Sequence, residues 1–252
     1  MKEEQTSVYK SLIIGRNPVL EALKSGRDIE KLIIGRGTEG SIRKIIGIAK
    51  EKGIAWQYAD KAALDRISEG KVHQGVIAYV SEYAYYYLED ILEKAQARKE
   101  DPFIIILDGI EDPHNFGAIL RTAEGAGAHG VIIPKRRAVG ITDVVAKAAA
   151  GAVEYIPVVK VSNIAQTVDK LKEKGIWVAA CDMDGIEYDL ADMKGSIALV
   201  IGAEGYGISR LVKEKCDFTV SIPMSGHISS LNASNAAAIL MYEVKRQRKN
   251  SK

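Results

Sequence analysis

Three short segments beyond residue 103 of this 252-residue chain concentrate the side chains suited to chemistry. The first, LDGIEDPHNFGAILRTAEGAGA at 107–128, predicts a strand ending at Asp108 and a helix capped by Asp112 and opened by Pro113. Gly117 and Arg121 lie four apart and so share one face of that helix. A glycine within a helix costs about 1 kcal/mol relative to alanine, which calls for compensation by close approach of a ligand or of another backbone. A capped helix bearing an ordinary surface arginine is the plain alternative.

The second segment, LVIGAEGYGIS at 199–209, predicts a buried strand running into a loop with Gly202, Gly205 and Gly207. Such a loop can offer backbone amides to a ligand. A phosphate cradle would call for Lys or Ser/Thr, yet this loop carries Glu204. That sign suits a ligand bearing hydroxyls or a positive sulfonium, and a tight turn with a solvated acid is the alternative. The third segment, SIPMSGHISSLNASNAAAIL at 221–240, predicts a strand stopping at Pro223 and a helix starting near Asn232. Ser229, Ser230, Asn232, Ser234 and Asn235 crowd the helix entrance, where one cap would suffice.

Stepping outward, short apolar runs alternate with helical periodicity, which makes the class α/β. From residue 103 the runs FIIILD, GVIIP, IWVAAC, IALVIG and FTVSIP are almost wholly apolar, as expected for a parallel sheet covered on both faces. Helices are expected near 114–127, 141–149, 162–174, 207–214 and 233–248. Residues 1–80 form a smaller α/β unit with strands KLIIG, IAWQY and GVIAYV. It has a helix capped by Asn17 and opened by Pro18, a second capped by Ser41 with apolar residues at 42, 45, 46 and 49, and a third near KAALDRIS. Residues 81–102, with four tyrosines and a charged amphipathic stretch, read as a partly helical linker.

GRGTEG at 35–40 matches the dinucleotide fingerprint, with Asp60 spaced like a ribose-binding acid. The helix is expected to start only at Ser41, after the third glycine, and Glu39 would set a negative charge beside a pyrophosphate. GAGAHG at 125–130 follows a helix and precedes a strand, the reverse of the required order. Both are set aside. NAD binding remains the distinguishing measurement for the first.

Net charge is only +2, from 35 basic and 33 acidic residues, so a nucleic-acid argument must rest on local clusters. Lys135, Arg136 and Arg137 form one; Lys245, Arg246, Arg248, Lys249 and Lys252 form another, and each is also an ordinary solvated surface. Cys181 and Cys216 give neither a disulfide framework nor metal spacing, which suits a cytoplasmic protein. His73, His114, His129 and His227 have no ligand spacing, so no metal is expected. No apolar run approaches the roughly 20 residues of a membrane span.

Taken together, the three segments resemble the motifs of the SpoU (TrmH) family of SPOUT-class RNA ribose methyltransferases. The resemblance rests on Asn115–Gly117–Arg121, on Gly202-Ala203-Glu204-Gly205, and on Ile222-Pro223-Met224 through Ser230-Leu231-Asn232, in the family's order. Phe116 stands where an aliphatic residue is more usual. The stretch from IIGRNPVLEAL to HQGVIAYV is similar to the family's ribosomal-protein-like substrate-binding domain, though more loosely.

The resemblance implies a parallel sheet with a deep trefoil knot in residues 103–252, a homodimer, and S-adenosylmethionine as cofactor. It implies cofactor contacts at Gly202, Ile222, Leu231 and Met224, and catalytic-site roles for Arg121, Asn115, Glu204, Ser230 and Asn232. The two-domain layout is most similar to members that methylate a guanosine of 23S ribosomal RNA. A transfer-RNA ribose methyltransferase and a non-catalytic RNA-binding or ribosome-assembly factor of the same fold are the alternatives.

Overall fold

A computed structural model describes residues 11–249 except 25, 26, 38, 39, 81, 82, 84 and 228. The chain divides into two compact units, Met1–Ala84 and Tyr85–Lys252.

The first unit runs β1 (Ser11–Ile14), α1 (Arg16–Lys24), β2 (Ile29–Gly35), α2 (Ser41–Glu51), β3 (Ala55–Ala59), α3 (Lys61–Ile67) and β4 (Val76–Val80). Its sheet has the order β1-β4-β2-β3; β2 and β3 are parallel, and β4 is antiparallel to both β1 and β2. Strand β1 lies outside the three strands expected here. Ile42, Ile45 and Ala49 of α2 are buried against Leu32, Ile34, Val76 and Ala78, and Ile46 packs at the margin.

Two caps differ from expectation, and a third helix has a cap that was not expected. The Gly15 carbonyl accepts from the Val19 N–H, so α1 begins a residue early, with Asn17 and Pro18 inside its first turn. Gly40, at φ 76°, holds the N-cap position of α2 without a side-chain bond, which moves Ser41 into the helix. Asp60 accepts from the Ala63 N–H at 2.7 Å and caps α3. The acid that the dinucleotide fingerprint would assign to a ribose thus ends a strand and starts a helix; Thr38 and Glu39 of that fingerprint lie outside the described residues.

The second unit runs α4 (Leu88–Arg98), β5 (Phe103–Asp108), α5 (Pro113–Ala126), β6 (Gly130–Pro134), α6 (Asp143–Ala148), a 3-10 turn at Ala152–Glu154, β7 (Val158–Val161) and α7 (Ile164–Glu173). It continues with β8 (Trp177–Glu187), β9 (Ile197–Gly202), α8 (Arg210–Lys215), β10 (Phe218–Ser221) and α9 (Ala233–Lys249). All six strands are parallel, in the order β10-β8-β9-β5-β6-β7. The added strand, β7, is four residues long at the sheet's edge. Ile104 and Ile106 face one layer with Val168 and Leu171 of α7 and Ile91 of α4, and Ile105 and Leu107 on the opposite face are equally buried. Helix α4, in the segment expected to be a linker, therefore belongs to this unit's core: Ile91 and Ala95 are buried, and Gly130 leaves room for the Ile91 side chain.

Gly117 is explained by a backbone. A Cβ there would stand 2.4 Å from the Ala148 Cβ and 2.8 Å from the Val145 carbonyl oxygen, so α5 and α6 cross where only glycine fits. Among the described residues no helix is long and apolar enough to cross a membrane, and no group of three or more His, Cys, Asp or Glu side chains is placed to hold a metal ion.

Candidate active site

The chain leaves β5 toward β6 on one side, while β9 pairs with β5 on the other. In parallel sheets a crevice opens at the carboxyl ends of the strands where the order reverses in this way. Asp108 and Gly202, the last residues of β5 and β9, are register partners. The first two motif segments therefore emerge side by side. Asp108 also accepts from the Ser209 N–H at 2.8 Å and ties the two loops together, a role that a strand-end carboxylate could have suggested.

After β5 the chain turns into α5. Asp112 accepts from the Asn115 N–H at 2.7 Å, so the expected cap forms and fixes Asn115 in the first turn. After β9 it makes a tight hairpin: Ala203 and Gly207 exchange backbone hydrogen bonds of 3.1 and 2.9 Å, with Gly205 and Gly207 at positive φ. A Cβ on Gly202 would lie 2.2 Å from the Gly207 carbonyl carbon. The glycines of this loop let it fold on itself and present Glu204 and Tyr206 at its tip.

The three segments meet in one hydrogen-bonded cluster. Asn115 donates through Nδ2 to Glu204 Oε1 at 3.0 Å. Asn232 donates through Nδ2 to Asn115 Oδ1 at 2.9 Å and to Glu204 Oε1 at 2.5 Å. Glu204 Oε1 also accepts from the Ala233 N–H at 3.3 Å, at the start of α9. There the unpaired amides and the helix dipole favour a negative charge, which gives Glu204 a structural reason for its sign. Asn232 Oδ1 accepts from the Ser234 N–H at 2.9 Å and the Ser234 hydroxyl at 2.6 Å, so one side chain both caps α9 and holds the cluster.

The remaining candidate side chains are not hydrogen-bonded into this cluster. Arg121 is exposed on α5 and, among the described residues, has no hydrogen-bond or ion-pair partner. At about 1.5 Å and 100° per residue, it lies roughly 9 Å along the helix from Asn115 and about 120° around it. Ser230 is exposed and bonds to no described residue, while Ile222 and Leu231 are half-buried and Met224 is exposed. In sequence these apolar residues all lie between Glu204 and Asn232. Within the motif segments, apolar residues together with a carboxylate rather than a lysine are the residue types that an adenosyl sulfonium calls for.

Two expectations about other groups resolve in structural terms. Burial raises the pKa of both thiols, that of Cys216 up to about 12, so neither is a ready nucleophile or ligand. The basic tail is engaged in packing. Arg246 pairs with Glu243 at 2.7 Å, and Lys245 donates to the Gly125 carbonyl at 2.6 Å. Arg248 donates to the carbonyls of Asp101, Pro102 and Gly195. Lys252 lies outside the described residues.

A model of the SpoU rRNA methylase family matches residues 102–242, and one for RNA 2′-O ribose methyltransferase substrate binding matches residues 12–86. YacO of Bacillus subtilis, assigned by name to the TrmH family of tRNA/rRNA methyltransferases, is 51% identical over 239 residues, covering 94% of this chain and 95% of its own. The SpoU methyltransferase AviRb of Streptomyces viridochromogenes, solved in complex with AdoMet, aligns with a TM-score of 0.61 and 27% identity, over 95% of this chain and 90% of its own. The A. aeolicus TrmH/SpoU tRNA modifying enzyme aligns with a TM-score of 0.55 and 27% identity, over 64% of this chain and 86% of its own.

Proposed function

This chain belongs to the SpoU/TrmH family of S-adenosylmethionine-dependent RNA 2′-O-ribose methyltransferases, and we propose that its substrate is a guanosine ribose of 23S ribosomal RNA, methylated by a homodimer in the cytoplasm. The observation that carries the reading is the Asn115–Glu204–Asn232 cluster, which joins three distant segments at the carboxyl ends of the central strands.

S-adenosylmethionine supplies an electrophilic methyl group on a positively charged sulfur. Ile222, Leu231 and Met224, with the backbone at Gly202, are the residues that would hold it. Glu204, Asn115, Asn232 and Ser230 would orient the acceptor ribose beside it. Positioning of this kind can lower a barrier by several kcal/mol, up to about 7–11 in the best intramolecular cases. Arg121, whose guanidinium offers hydrogen-bond donors and no acceptor, would stabilise the developing alkoxide or bind the neighbouring phosphate. The trefoil knot of residues 103–252 is part of the same reading.

The ribosomal target is supported by the match to the SpoU rRNA methylase family and by domain layout, since the tRNA modifying structure leaves about a third of this chain unmatched. A transfer-RNA target is the second reading, supported by that same enzyme and by the shared tRNA/rRNA name of YacO. Mapping ribose methylation across total RNA, with and without the protein, decides between them. The expected result is loss of one 2′-O-methylguanosine in 23S ribosomal RNA. Loss of a transfer-RNA site would move the assignment to tRNA, and unchanged methylation would favour a non-catalytic RNA-binding factor.

A further inference from the structure

A cleft of about 750 Å³ opens at the carboxyl ends of β5, β6 and β7, with Asn115 and Glu204 on its wall. That size lies within the roughly 300–1,000 Å³ of small-ligand sites. Ile222, Met224 and Leu231 do not line it, so it adjoins the expected cofactor residues without containing them.

Of the acids that line it, Glu111 is exposed, while Asp108, Asp112 and Glu204 each accept through one carboxylate oxygen, from Ser209, from Asn115, and from Asn115 with Asn232 and Ala233. Arg137 is exposed and has no partner among the described residues. Its backbone sits at φ 56°, a conformation that costs a non-glycine residue energy and fixes where the side chain leaves the β6 end. Two large side chains at the opening are solvated without apolar cover: Tyr206, 96% exposed at the hairpin tip, and Leu211, 55% exposed. Behind them Ile164 and Val212 are buried. An aromatic and an aliphatic face beside an unpaired guanidinium are what an unstacked nucleotide recognises, through its base and its phosphate.

We infer that this cleft receives the base of the ribonucleotide whose ribose lies at Asn115 and Glu204, with Tyr206 and Leu211 against the base and Arg137 on a backbone phosphate. The inference rests on the ribose-methylation reading for the position of the sugar. It adds a pocket that requires the target nucleotide to be single-stranded or flipped from its helix.

The test uses the full chain and a mixed-sequence decaribonucleotide containing 4-thiouridine, photocrosslinked and mapped by mass spectrometry. Crosslinks at Tyr206 or Leu211 are expected. Crosslinks confined to other surfaces, or crosslinks at these residues abolished by saturating S-adenosylmethionine, would overturn the inference; the second result would give the cleft to the cofactor. Arg137→Ala should weaken binding of the same RNA about tenfold and reduce its log–log salt slope by about 1, with Arg137→Lys restoring the slope. A slope unchanged by Arg137→Ala would also overturn it. Failure of the methylation reading is separate: it shows as no calorimetric binding of S-adenosylmethionine, whatever the crosslinks report.

Discussion

Asn232 holds Glu204 by a 2.5 Å hydrogen bond through its Nδ2, while its Oδ1 caps the helix that follows. The two halves of one amide thus serve site and fold separately, and substitution can divide them. Asn232→Asp keeps the capping oxygen but replaces the donor with a charge facing Glu204. It should retain the wild-type melting temperature within a few degrees and lose at least about 100-fold in methyl transfer. Asn232→Ala should lose activity and also about 1 kcal/mol of stability with the cap. Equal stability losses in the two variants would contradict this division of roles.

Gly117→Ala tests the crossing of α5 and α6. Helix propensity alone would gain about 1 kcal/mol. The added Cβ would meet Ala148 at 2.4 Å and the Val145 carbonyl at 2.8 Å, and such overpacking costs about 1–3 kcal/mol. A net lowering of the urea midpoint is expected; a raised midpoint would mean the helices part freely.

Arg248 probes the basic tail. It donates to three carbonyls, and hydrogen bonds from a charged group contribute about 1.5–3 kcal/mol. Arg248→Met should therefore destabilise the protein by about 2 kcal/mol, while Lys249→Ala leaves stability unchanged. If both variants weaken RNA binding and neither changes stability, the tail is an RNA contact and not a clamp.

His129 predicts an acid sensitivity. It is fully buried, its Nδ1 accepts from the Phe103 N–H at 2.9 Å, and its Nε2 faces Glu100 at 3.1 Å. Burial, only partly offset by the Glu100 contact, lowers its pKa below the ordinary value of about 6.5. The unfolded chain thus binds the proton more readily. The stabilisation is complete above about pH 6.5 and is lost as pH falls through the folded-state pKa. The melting temperature should drop between pH 7.5 and 5.5, and His129→Gln should flatten that slope. An unchanged slope in the variant would place the acid sensitivity elsewhere.

The large sheet was legible because all five of its apolar runs become strands, with IWVAAC and FTVSIP shifted at their ends. Strand β7 was not: VVKV is too short to show a period, and it forms as the edge partner of β6. Caps followed the same division. Asp112 could be read from its own neighbours, but Asn17 and Ser41 were displaced by Gly15 and Gly40, whose positive φ no local polar pattern announces. Within the site, Asn115, Glu204 and Asn232 stood out as polar residues at strand ends and helix starts, and they meet. Gly117 was recognised for one of its two expected reasons, the approach of another backbone, whereas Gly202, expected to offer amides to a ligand, makes room for the backbone of its own loop. The cleft beside them was hidden, since Arg137, Tyr206 and Leu211 lie in segments that only the sheet brings together.

The most direct measurement is transfer of label from S-adenosylmethionine carrying a radioactive methyl group to ribosomal RNA fragments, compared with the same fragments bearing a single 2′-deoxy substitution at the mapped nucleotide. The predicted result is label recovered as a 2′-O-methylated ribose in the ribo substrate and none in its deoxy counterpart. Equal labelling of the two, or label recovered on a base, would contradict ribose methylation.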